Sequence, residues 1–294
     1  MKTLIIKLGA TGDVLRTTAI LHVLEGEIHW LTSDQNMIML KGNPKIKKCI
    51  PWNKNSNLLK SDYIRVINLE DSIEVAQLVS KIKYNELFGA YLDAAGKLTY
   101  TDNAKEWFDI SIISKFGIEK ADELKFKNRK TYQEMIFNGL GYHFKGEKYF
   151  IPGAIKTDLI GDIAIAPKSG SVWPMKNWIY FDKLKQLLEG EGYRVNYLPI
   201  RESLSEHIGD VQNHTYLIAG DSLPMHIALG SGIKCLSIFI CTSPWEIYDY
   251  GLLKKIVSPL LDRYFYKRFH DPEAGESIKL EAVFYSVVEH LKTR

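Results

Sequence analysis

Residues 3–13 read TLIIKLGATGD, and the fold is decided there. A short apolar run with branched side chains, closed by Gly9, has the character of a buried strand. Asp13 stands where a helix cap would, and Val14, Leu15, Thr18, Ala19, Leu21 and His22 continue at helical spacing. Gly9 and Gly12 allow a tight strand-to-helix turn between the two.

The same alternation spreads along the chain. Residues 27–31 (EIHWL) and 65–69 (RVINL) read as further strands, and helical patterns cover 72–82 and 104–115. Residues 88–102 are polar and aromatic without helical period, which predicts a hairpin or an ordered loop. The stretch 41–54 carries Lys45, Lys47, Lys48 and Lys54 between Pro44 and Pro51 and reads as a solvated loop. Its functional alternative is attraction to an anionic acceptor or a membrane surface.

Near residues 148–155 (KYFIPGAI) the pattern restarts. Strands are expected at 163–166, 193–198, 216–219, 235–239 and 256–257, with helices at 180–189, 224–229 and 280–292. From His207 to Thr215 there is little room for another helix. The expected architecture is α/β, with an N-terminal Rossmann-like domain over 1–152 and a second over 153–294. The last helix is a candidate to pack back on the first domain.

A formal net charge of +3 argues against a nucleic-acid binder. The three cysteines have no metal-ligand spacing, and so sparse a set fits a reducing cytoplasm. The apolar run before Gly9 is too short for a signal-peptide core, and no segment reaches the roughly 20 apolar residues that span a bilayer. A protein at home in the cytoplasm is expected, at most touching the inner face of a membrane.

Ligands of such sheets bind beyond the carboxyl ends of the strands. Three loops fall there: 9–13, 167–176 and 220–226. In the first, GATGD lacks the third glycine of a dinucleotide fingerprint, and an Asp at the helix mouth repels phosphate. What remains is a carboxylate favoured by the helix N-terminus, either a plain cap or a general base. In the second, Ser169, Ser171 and Lys176 suit a diphosphate, and Lys176 supplies a cation for the departing charge. Trp173 and Trp178 read as packing residues. In the third, Asp221 and Ser222 follow a strand and Pro224 suits a first helical turn, with Met225 and His226 behind it. No Asp-x-Asp triplet and no His spacing for zinc occurs, so no metal is expected.

Taken in this order, the three loops resemble glycosyltransferase family 9, the ADP-heptose:lipopolysaccharide heptosyltransferases. The opening KLGATGD, the lysine before a tryptophan in PMKNW, and DSLPMH are similar to the family's signatures. Phe239, Thr242, Ser243, Pro244, Tyr250 and Gly251 follow its downstream pattern. The resemblance implies a GT-B fold with two Rossmann-like domains facing each other across a cleft. It also implies an ADP-heptose donor, inversion at the anomeric carbon and no required metal or cofactor. Asp13 takes the place of the catalytic carboxylate, with Lys7, Gly9, Thr11 and Gly12 supporting it. Lys176, Asp221, Ser222, Pro224, Met225 and His226 take the donor site. Ser169 and Ser171 stand for hydroxyl residues there, and Glu202 stands for a ribose-binding glutamate. The expected partners are the nucleotide sugar and a hydroxyl of a bacterial glycan or glycolipid. A nicotinamide-dependent oxidoreductase built on GATGD, and a binding protein with a decayed site, are the competing readings.

Overall fold

The computed structural model describes residues 1–292 apart from 169 and 171. The chain divides into two compact units, Met1–Pro152 and Gly153–Arg294. Among the described residues no helix is long and apolar enough to cross a membrane.

The N-terminal unit begins with β1 (Lys2–Ile6), whose Leu4, Ile5 and Ile6 are fully buried, as a central parallel strand covered on both faces requires. α1 (Thr11–Thr17) follows. Its α-geometry ends where the Thr17 and Thr18 hydroxyls bond back to the carbonyls of Asp13 and Leu15 at 2.6 Å each. Such back-bonding competes with the helix ladder, and the chain tightens into a 3-10 turn over Thr18–His22. β2 (Glu27–Thr32), β3 (Ile46–Pro51) and β4 (Asp62–Asn68) come next. After them come α2 (Ile73–Val79), β5 (Lys83–Leu92) and β6 (Leu98–Tyr100). α3 (Lys105–Phe108), α4 (Ile118–Lys127) and α5 (Tyr132–Gly139) complete the unit.

The sheet order is β3-β2-β1-β4-β5-β6, parallel except for the β5–β6 hairpin. At Gly89 of β5, φ is +110° and a Cβ would lie 1.8 Å from the Asn68 carbonyl oxygen, so only glycine fits beside β4.

Three expectations for this unit are corrected. The lysine-rich stretch is not merely a loop: it holds β3 at the sheet edge, with Lys47 and Lys48 exposed. Pro51 is tolerated as the last residue of that edge strand. The helix expected over 104–115 shrinks to the single turn of α3, because Ser111 and Ser114 direct local turns instead. Asp13 is not the cap of α1; Ala10 is, and Asp13 lies in the first turn.

The C-terminal unit runs β7 (Ile163–Ala166), α6 (Phe181–Gly190), β8 (Val195–Tyr197) and α7 (Leu204–Gln212). It continues with β9 (Tyr216–Gly220), α8 (Leu223–Ser231), β10 (Lys234–Phe239) and β11 (Leu253–Val257). It closes with α9 (Leu261–Tyr264), α10 (Pro272–Glu276) and α11 (Leu280–Lys292). All strands are parallel in the order β11-β10-β9-β7-β8.

α8 is buried from Pro224 to Leu229 and stops at Gly232, which takes the left-handed conformation at φ +75°. α7 corrects the expectation of no helix here: it starts at Leu204, before His207, and buries Ile208 and Val211. α11 packs on α6 and β11 of its own unit, with Val283 and Val287 in the core. Trp178 also belongs to that core, its indole N–H donating to the Ile278 carbonyl at 2.8 Å.

Candidate active-site loops

In each unit the strand order reverses once, between β1 and β4 in the first and between β7 and β9 in the second. Crevices for ligands open at the carboxyl ends of such strand pairs. A lysine bridges both reversals.

In the N-terminal unit Lys7, just after β1, meets Glu70, just after β4, with Nζ 2.9 Å from Oε1. The Leu8 amide donates to the same carboxylate oxygen at 2.8 Å. Burial would lower the Lys7 pKa, but Glu70, then Asp13 and Tyr132, outweigh it and the pKa is raised. Thr11 donates to the Asn36 side-chain oxygen at 2.7 Å, and the Asn36 amide donates to the Leu8 carbonyl, also at 2.7 Å, which ties the turn to the β2–β3 connection. Gly9 and Gly12 are not at positive φ, and a Cβ on Gly9 would meet only Asn36, at an ordinary 3.7 Å.

Asp13 lies in the first turn of α1. Its Oδ1 lies 2.9 Å from Arg16 Nη2; the arginine side chain is 8% exposed and the aspartate 35%. The Arg16 guanidinium stacks 4.0 Å over the Tyr132 ring, and the Tyr132 hydroxyl shares a 2.7 Å hydrogen bond with Thr17. Sequence reading missed Arg16, Glu70 and Tyr132. Arg16, one helical turn from Asp13, was the detectable signal. Two carboxylates, Asp13 and Glu70, stand where a dinucleotide fold would seat its pyrophosphate, which speaks against the oxidoreductase reading.

In the C-terminal unit Lys176, in the 3-10 turn Pro174–Lys176 after β7, reaches Asp221 after β9. Its ammonium donates to Asp221 Oδ2 at 2.9 Å and to the Asp221 carbonyl at 2.7 Å. Burial would raise the Asp221 carboxyl, but Lys176, His226 and the Thr242 hydroxyl hold it down at about 2. Ser222 caps α8 through its backbone conformation, while its hydroxyl turns to the Gly220 carbonyl at 3.3 Å. Pro224 occupies the first turn without an amide to offer, and Met225 and His226 are buried behind it. Ser169 and Ser171 lie outside the described residues.

A cavity of about 870 Å³ opens beside this pair, at the ends of β7 and β8 and the start of α8. Trp178, Ile179, Phe181, Leu198 and Leu204 give it apolar walls, and Lys168, Asp182, Arg201 and His207 add polar groups. Its size and lining suit a small organic ligand. Burial lowers the His207 pKa, so its imidazole is neutral at pH 7. Glu202 is exposed and does not line the cavity. Among the described residues no group of three or more His, Cys, Asp or Glu is gathered to hold a metal ion.

The sequence matches no protein-family model and no curated protein. Solved structures are similar over nearly the whole chain. The heptosyltransferase WaaC of E. coli, solved with ADP, is 13% identical with a TM-score of 0.65, over 99% of this chain and 100% of that one. A family 9 glycosyltransferase from Veillonella parvula is 16% identical, with a TM-score of 0.67, over 99% and 97%. The ADP-heptose heptosyltransferase II of E. coli is 14% identical, with a TM-score of 0.63, over 99% and 98%. The chain shares its fold with the family 9 glycosyltransferases, which are of the GT-B class.

Proposed function

We propose that this protein is an inverting glycosyltransferase that moves a heptose, or a related sugar, from an ADP-sugar to a hydroxyl of a bacterial glycan or glycolipid. The observation that carries this reading is the pairing, in one unit, of a nucleoside-sized cavity with the Lys176–Asp221 charge pair at the mouth of α8.

The nucleoside occupies the cavity, and the diphosphate lies along the start of α8. There the helix dipole, the Ser222 hydroxyl and Lys176 meet its charge, with Lys168 as a second cation. As the anomeric C–O bond to the diphosphate breaks, these groups stabilise the departing anion. The acceptor oxygen attacks the opposite face of the anomeric carbon, and Asp13 takes its proton. With the leaving charge met by lysine and helix amides, the reaction runs without a metal. The cationic surface of Lys47 and Lys48 on β3 is a secondary candidate for contact with a phosphorylated acceptor or the inner membrane face.

Asp13→Ala is expected to fold and to bind ADP like the parent protein. Its release of ADP from ADP-heptose, followed chromatographically with EDTA present, is expected to fall by about 10²–10⁴. Near-normal turnover by that variant removes Asp13 from the mechanism. A parent protein that binds no ADP, or prefers UDP-, GDP- or dTDP-sugars in a thermal-shift screen, overturns the donor assignment.

A further inference from the structure

Glu202 is the carboxylate that sequence position nominates for the ribose of the donor, yet it stands exposed outside the cavity. The residue before it, Arg201, is committed elsewhere. Its guanidinium makes a two-pronged contact with the fully buried Asp210, at 2.7 and 2.9 Å, and Asp210 in turn accepts from the Thr157 hydroxyl at 2.6 Å. That contact anchors the β8–α7 loop to the start of the unit.

Asp182 is the one carboxylate that lines the cavity among the described residues. It sits in the first turn of α6, where the helix dipole favours its negative charge. Tyr197, at the end of β8 and also lining the cavity, donates its hydroxyl to Asp182 Oδ1 at 2.6 Å. Burial and this carboxylate both raise the Tyr197 pKa, so the phenol keeps its proton and acts as donor. The bond fixes the carboxylate and leaves Oδ2 as an acceptor. Two apolar side chains, Ile179 at 55% exposure and Ile200 at 90%, also line the cavity and leave apolar surface open to solvent there.

A held carboxylate beside an apolar slot is matched by a ribonucleoside: a base for the slot and a vicinal pair of hydroxyls whose protons an acceptor-only carboxylate can take. We infer that Asp182, positioned by Tyr197, reads the ribose hydroxyls of the donor nucleotide, and that Glu202 does not. This rests on the proposed use of the cavity for the donor nucleoside.

The test is calorimetric binding of ADP and of 2′-deoxy-ADP to the parent protein and to Asp182→Asn, Tyr197→Phe and Glu202→Gln. A hydrogen bond to a charged group contributes about 1.5–3 kcal/mol, so the parent is expected to prefer ADP by roughly 10- to 100-fold. Asp182→Asn is expected to bring that preference below about threefold while changing 2′-deoxy-ADP binding little. Tyr197→Phe is expected to reduce it partly, and Glu202→Gln to leave it whole. An Asp182→Asn protein that keeps the full preference, or a Glu202→Gln protein that loses it, overturns the assignment while leaving the transferase reading intact. A parent protein that binds neither nucleotide overturns both.

Discussion

Replacing Lys176 by methionine isolates the free energy held in its pair with Asp221. Methionine keeps the length and apolar stem of lysine and removes only the ammonium. The Asp221 carboxyl is held at about 2 against an ordinary 3.8. At 1.36 kcal/mol per unit, this contributes about 2 kcal/mol to the stability of the C-terminal unit at neutral pH, part of it through His226. Stranding a buried carboxylate without its cation costs more, roughly 3–5 kcal/mol. A loss of about 2–5 kcal/mol is therefore expected at pH 7.

The sign with pH follows from the depressed value. The contribution is complete above about pH 4 and is lost as the pH falls through about 2, so the variant's deficit shrinks in acid. Adding Asp221→Asn to the variant is expected to recover much of the neutral-pH loss without restoring nucleotide binding. Hydrogen exchange of peptides covering β7 and β9 reads this unit by itself. A loss below about 1 kcal/mol at pH 7, or a deficit unchanged between neutral and acid, refutes the electrostatic account.

Two further substitutions address the N-terminal unit. Arg16→Met keeps the bulk over Tyr132 but frees the Asp13 carboxylate from its guide, and turnover is expected to drop roughly 10- to 100-fold with ADP affinity unchanged. Unaltered turnover in steady-state assays would show that Arg16 serves packing alone. Glu70→Ala strands the buried Lys7 ammonium and the Leu8 amide, and exchange protection in β1 is expected to weaken by roughly 3–5 kcal/mol. Protection within about 1 kcal/mol of the parent would mean that Lys7 finds another partner.

Much of the scaffold was legible because its signals are local. The apolar run Thr3–Leu8 is a strand by composition, and the structure gives Lys2–Ile6; Leu280–Lys292 is a helix by period, with the boundaries observed. β3 was not legible, because Lys47 and Lys48 at a sheet edge look like a solvated loop until the partner strand is known. α7 begins at Leu204, so the span from His207 to Thr215 holds only its C-terminal part, too short to display a helical period.

The charge pairs depend on strand order, which no local pattern reports. Lys7 meets Glu70 because β4 lies beside β1, and Lys176 meets Asp221 because β9 lies beside β7. Asp182 escaped notice for the same reason: a carboxylate on α6 reaches the end of β8 only once β7 and β8 are neighbours.

The two lysine–acid pairs carry a lesson for chimaera building. Each cation finds its counter-ion inside its own half of the polypeptide, Lys7 with Glu70 and Lys176 with Asp221. A graft that exchanges one half for that of a relative, cut near Pro152, therefore orphans neither charge. Each half of such a hybrid brings its own neutralising partner for its buried lysine.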